Sequence, residues 1–187
     1  MDAEAADLER KLFEVNHLPK ASLEAEFLRC CGSRAWGQAM IEKLPFTSYA
    51  SLLDTASLVW WHLPVSEWQM AFSAHPQIGD AAALRSKFAN SAWEGDEQKG
   101  ANAASEETLR QLARLNTEYL DKQGFIFLIC ATGKSAAEMV VALQARMPND
   151  SATEVQVAAG EQDKITKLRL RKLLDTTAAS SSSISKL

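Results

Sequence analysis

Apolar residues fall at Leu109, Leu112, Leu115, Tyr119 and Leu120, the three- and four-residue steps that place side chains on one face of an α-helix. Ser105 stands where an N-cap is wanted. Glu106 and Glu107 suit the positive end of the helix dipole, and Gly124 sits just past the other end. The same rhythm, interrupted by Gly, Pro and Ser, predicts helices over 22–30 (capped by Ser22), 34–43, 48–62, a piece opened by Pro64 and Ser66, then 81–89, 135–147 and 152–175. The 48–62 helix is apolar all round, which predicts burial on every side. The last helix is predicted to turn Val155, Ala158, Ile165, Leu168 and Leu173 inward. Strand alternation is missing. One compact apolar run, 125–131, reads equally as a buried strand or a buried helical turn. The pattern therefore predicts an all-α, single-domain helical bundle over 1–178, followed by a flexible serine-rich tail over 179–187.

A chain of 187 residues is long enough for one domain with a proper core. The net charge of −4 argues against a general nucleic-acid binder, although one local Arg or His can still hold a small anion. The cysteines are Cys30, Cys31 and Cys130, with no CxxC spacing, so neither a disulfide framework nor a zinc site is expected. No run of about 18 apolar residues exists to span a membrane. The N-terminal stretch lacks the basic start and apolar run of a signal peptide. At the other end, Ser185-Lys186-Leu187 is the tripeptide read by the peroxisomal import receptor, which predicts a peroxisomal address. The serine run before it, Ser180 to Ser183, is expected to be disordered and to leave the tripeptide accessible.

Three features can carry chemistry. His75 lies in the stretch Ala-His-Pro-Gln-Ile-Gly-Asp (74–80), where Pro76 disfavours helix and Gly79 permits a turn. Imidazole gives or takes a proton near neutral pH, but a loop histidine can equally bond a carbonyl. Glu97-Gln98 sits in a polar stretch that reads either as an orienting pair or as a solvated connection. Arg169, between Leu168 and Leu170, calls for an anionic partner, structural or substrate. The residues alone leave these alternatives open.

Taken in order, His75-Pro76-Gln77-Ile78-Gly79, Glu97-Gln98, Tyr119, the run from Gly124 to Ala131, Glu154, Ile165 and Leu168-Arg169-Leu170 resemble the 2-oxo-4-hydroxy-4-carboxy-5-ureidoimidazoline (OHCU) decarboxylase family, in its plant and algal form. The resemblance spans about residues 20 to 178. It implies an all-helical enzyme without cofactor or metal, a homodimer, that converts a ureidoimidazoline to S-allantoin in urate degradation. It further implies the decarboxylation step alone, because the chain has no room for the transthyretin-like hydrolase fused to many plant relatives. Carried over position by position, His75 is the catalytic acid, with Glu97 and Arg169 beside it. Pro76, Gln98, Phe127, Leu128, Ile129, Cys130 and Ala131 line the substrate. The family usually has serine three residues before the glutamate, and this chain has Glu94 there. Two rival readings are a non-catalytic helical interaction module of the peroxisome and a hydrolase using His75 with a carboxylate. The second lacks a nucleophile motif.

Overall fold

The computed structural model describes residues 3–75 and 106–184, with side chains described over 4–75 and 106–176. Among the described residues the chain is all-α, as the pattern predicts. Its helices are α1 (Ala3–Asn16), α2 (Lys20–Cys31), α3 (Arg34–Ile41), α4 (Tyr49–His62), α5 (Val65–Ser73), α6 (Glu106–Gln123), α7 (Ala136–Arg146) and α8 (Ser151–Ile184), and none is long and apolar enough to cross a membrane. The helix expected over 81–89 and the cap Ser105 lie outside the described residues. Two compact units emerge: one comprises Met1–Ala74 with Gln162–Leu187, the other His75–Glu161.

In the first unit, α1 packs on α4, α2 on α3, and α3 on α4. Helix α1 was hidden in the sequence by its mixed charges, yet it buries Leu12 and Val15 completely. Helix α2 starts before Ser22. Pro19 occupies the N-cap position with φ −53°, and no side chain caps the helix, since the proline ring has no oxygen to accept from the free N–H groups. The helix ends at Gly32, where φ is +89° and the N–H bonds Leu28 O at 2.8 Å. A Cβ at Gly32 would stand 2.8 Å from Ala74 Cβ and 3.2 Å from Ala71 O, so glycine is what lets this turn meet the end of α5. Ser33 then caps α3, its Oγ accepting from Trp36 N at 3.1 Å while donating to Glu67 Oε2 on α5 at 2.7 Å.

Ser48 caps α4 by accepting from Ser51 N at 3.0 Å. The helix buries Leu52, Ala56, Val59 and Trp60, but Leu58 is 59% and Trp61 43% exposed. The expected all-round burial is thus corrected to a single buried face; much of any protein surface is apolar, and an apolar outer face does not imply a neighbour. The indoles beneath are satisfied: Trp36 Nε1 donates to Ala56 O at 3.0 Å and Trp68 Nε1 to Trp60 O at 2.9 Å.

The second half of α8 closes this unit. Its buried stripe is Gln162, Thr166, Leu170, Leu173 and Leu174, whereas Ile165 is only half-buried and Leu168 is 42% exposed. The inward placing of Leu168 is therefore corrected. Two polar residues took the inner positions because they can bond there: Gln162 Nε2 donates to Cys31 O at 3.2 Å and to Thr166 Oγ1 at 3.0 Å. The helical backbone also passes the expected end at 175 and continues through the serine run to Ile184. Extending a formed helix costs far less than starting one, and Ala178 and Ala179 favour it. Ser185, Lys186 and Leu187 lie outside the described residues.

In the second unit, α6 packs on α7, and α6 buries Leu109, Leu112, Leu115 and Tyr119, with Leu120 half-buried. Gly124, at φ +76°, closes α6 through N–H to Leu120 O at 2.8 Å. A capping box opens α7: Ser135 Oγ accepts from Glu138 N at 3.2 Å, and Ser135 N donates to Glu138 Oε2 at 2.7 Å. Lys122 Nζ reaches Met147 O, and Gln123 Nε2 donates to Asn149 O at 3.0 Å, so the end of α6 holds the turn between α7 and α8.

Candidate active site

His75 is the residue after Ala74, the C-cap of α5, whose N–H bonds Ala71 O at 3.2 Å. The buried face of α5 (Trp68, Ala71, Phe72) and the close approach of Gly32 fix the backbone that leads into it. The imidazole is half-buried, the placement a proton donor needs if it is to meet a ligand. Pro76, Glu94, Glu97 and Gln98 lie outside the described residues.

Arg169 is half-buried on α8 and donates through Nη1 to Arg29 O at 3.2 Å and Cys30 O at 3.3 Å. These carbonyls belong to the last turn of α2, where a helix leaves its acceptors unpaired and carries partial negative charge. Among the described residues Arg169 thus meets the partial negative charge of helix carbonyls in place of the anionic partner expected. The contacts use one nitrogen of a planar, five-donor fork. The neighbouring thiols of Cys30 and Cys31 are each pushed up to about 12 by burial, so they stay protonated and serve as apolar packing rather than as nucleophiles.

The segment from Phe125 to Ala131 is neither of the two structures its hydropathy allowed. It is irregular, without helix or ladder. Its main-chain groups must then find partners elsewhere. Arg146 Nη1 donates to Leu128 O at 2.6 Å, and Cys130 N–H donates to Glu161 Oε2 at 2.7 Å. Phe127 and Leu128 are buried, while Ile129, Cys130 and Ala131 are half-buried. The Phe127 ring meets Tyr119 edge-on at 5.3 Å and carries the Arg146 guanidinium 4.6 Å from its centroid.

Arg146 is itself held. Its Nη2 lies 2.5 Å and its Nε 2.7 Å from Glu154 Oε1, with the Glu154 side chain 0% and the Arg146 side chain 11% exposed. Tyr119 Oη donates to the same carboxylate at 2.5 Å, and Asn149 Nδ2 donates to Glu154 Oε2 at 2.7 Å. Burial, and then the bond to Glu154, raises the Tyr119 phenol above its ordinary pKa, so the hydroxyl remains a donor. Charge and hydrogen-bonding capacity are matched throughout, the condition under which a buried ion pair is tolerated.

Neither Arg146 nor Glu161 was singled out in the sequence. Arg146 reads there as a basic residue in a helix's last turn, and Glu161 as part of a polar run with Gln162 and Asp163. Among the described residues, no group of three or more His, Cys, Asp or Glu is placed to hold a metal ion.

The described residues define an all-α chain whose second unit holds an irregular apolar segment with buried side chains. The OHCU decarboxylase family model matches residues 16–171, and the chain belongs to that family. The uric acid degradation bifunctional protein TTL of Arabidopsis thaliana is 42% identical over 159 residues, covering 83% of this chain and 48% of that protein. The chain thus spans about half the length of this relative. The OHCU decarboxylase of Xenopus laevis is 26% identical over 132 residues, 71% of this chain and 75% of that one. A crystal structure of OHCU decarboxylase in the presence of (S)-allantoin superposes with a TM-score of 0.66 at 38% identity, covering 80% of this chain and 97% of the other. A crystal structure of (S)-allantoin synthase, 16% identical with a TM-score of 0.67, shares the fold. The plant-type resemblance agrees with the Arabidopsis relative.

Proposed function

We propose that this protein decarboxylates OHCU to S-allantoin. The observation that carries the reading is the match, at 38% identity over 97% of its length, to an OHCU decarboxylase crystallised with (S)-allantoin. A non-catalytic helical module would leave that match without a reason.

The substrate's name fixes the problem. One ring carbon bears both a hydroxyl and a carboxylate, and the next bears the ureido group. When the bond to the carboxylate breaks, carbon dioxide leaves and its electron pair stays on the ring, spread towards the neighbouring carbonyl and C=N groups. The hydroxyl carbon becomes a carbonyl, and a proton is added to one face of the ureido-bearing carbon. The net change is loss of carbon dioxide and uptake of one proton.

In this reading His75 is the acid that supplies the proton, with Glu97 orienting it or binding ureido N–H groups. Arg169 anchors an anionic edge of the substrate through its planar fork. Pro76, Gln98 and the Phe127, Leu128, Ile129, Cys130 and Ala131 segment hold the ring, and Glu94 takes the place of the family's usual serine. Apolar surroundings favour departure of an uncharged product and weaken the screening of the charges that remain. Holding the ring against a single acid makes the product chiral, since free solution delivers protons to both faces. Release of carbon dioxide from freshly made OHCU, above the rate without protein, tests the activity. An unchanged rate refutes it.

Two further expectations follow. Arg169→Lys keeps the charge but loses the fork, so the apparent affinity for a ureide ligand should fall on the order of tenfold or more. Unchanged affinity in calorimetric titration would return Arg169 to capping α2. We also propose a homodimer delivered to the peroxisome through Ser185-Lys186-Leu187. Removing those three residues should leave activity intact and abolish import, and continued import of the truncated chain would assign the address elsewhere.

A further inference from the structure

Resting on the proposed reading that the segment Phe127 to Ala131 holds the substrate, we infer that Glu161 and Arg146 are positioning residues that set the path of its main chain. Neither belongs to the set read from the sequence. A strand or helix fixes each peptide plane by a repeating ladder, and this segment has none. Unclamped, its peptide groups would rotate through several conformations, each presenting different N–H and C=O directions to a ligand.

Two side chains remove that freedom, one on either side of Ile129. The Leu128 carbonyl is taken by Arg146 Nη1 at 2.6 Å, and the Cys130 N–H by Glu161 Oε2 at 2.7 Å. Both bonds involve an ionised group, the stronger class of hydrogen bond. Arg146 has no slack, since the fully buried Glu154 holds its Nε and Nη2 and the Phe127 ring lies beneath its guanidinium. Glu161 comes from α8, a regular helix that supplies a rigid base. Ile129 is therefore presented from a peptide pair fixed at both ends, and the half-buried residues Ile129 to Ala131 offer the ligand one conformation. Neither positioning residue need touch the substrate.

The test compares wild type, Glu161→Ala and Glu161→Gln, measuring carbon dioxide release for KM and kcat alongside thermal denaturation. Glutamine keeps an acceptor oxygen for the Cys130 N–H; alanine does not. Glu161→Ala should raise KM on the order of ten- to a hundredfold, with kcat per folded molecule changed much less, and Glu161→Gln should recover most of that loss. A merely structural role would lower the melting temperature and leave KM alone. Arg146→Lys supplies the second case: one ammonium cannot serve both Glu154 and the Leu128 carbonyl, so KM should again rise. Unchanged KM in Glu161→Ala, with an active wild type, overturns the inference. A wild type that releases no carbon dioxide overturns the functional reading beneath it, and the two failures are distinct.

Discussion

His75→Asn is expected to lower kcat by about 10²–10⁴-fold while leaving the thermal transition where it was. The size of the loss is what a positioned general acid contributes. The stability should hold because the side chain is only half-buried and lies beyond the end of α5, outside the packed set of Trp68, Ala71 and Phe72. Asparagine keeps comparable bulk and a hydrogen-bond donor, so substrate binding should suffer much less than turnover. Asparagine has no titratable proton to give near neutral pH, which isolates the acid role. Turnover within a few-fold of wild type in the folded variant would remove His75 from the chemistry.

The largest expected effect on stability is at Glu154. Glu154→Ala should destabilise the fold by about 3–5 kcal/mol, because it leaves the Arg146 guanidinium buried without its counter-charge. Asn149 Nδ2 and Tyr119 Oη lose their acceptor in the same step. Replacing both charges, as Glu154→Leu with Arg146→Met, should restore the part of that loss due to the unpaired charge, while Tyr119 Oη and Asn149 Nδ2 still lack their acceptor. The Leu128 carbonyl would then have lost its donor, so the double variant should be stable yet impaired in binding. Urea denaturation of the single and double variants checks the prediction. A single-variant loss below about 1 kcal/mol would mean that water reaches the pair and screens it.

Local signals were legible wherever one side chain answers a neighbour within a turn. Gly124 closes α6 as predicted, and the Ser48 cap of α4 and the Ser135–Glu138 box of α7 likewise rest on partners three residues away. Periodicity failed where the inner face is polar. Gln162 and Thr166 are buried on α8 because each finds a partner there, while Leu168 faces outward. Hydropathy cannot foresee partners 131 residues apart, as in Gln162 and Cys31. The segment from Phe125 to Ala131 shows the same limit. Its apolar run announced burial correctly for Phe127 and Leu128, but its conformation depends on Arg146 and Glu161, far along the chain. Helix α1 was missed because charged residues surround its few core contacts, Leu12 and Val15.

The site divides in the same way. His75 lies outside a helix, as Pro76 after it predicts, whereas Arg169, expected to need an anion, donates to the neutral carbonyls of Arg29 and Cys30. The joint role proposed for them rests on the order of motifs along the chain, because chemistry shared by distant residues leaves no periodic mark. Pro76, Glu97 and Gln98 belong to that shared pattern, Glu94 departs from it, and all four lie outside the described residues.

The proposed reaction is a stereospecific decarboxylation, so the handedness of the product tests it most directly. Freshly generated OHCU is mixed with the protein, and the allantoin formed is resolved by chiral chromatography while carbon dioxide release is timed. The account predicts release faster than the uncatalysed decay and an excess of the S form. Racemic allantoin formed at the uncatalysed rate would contradict it.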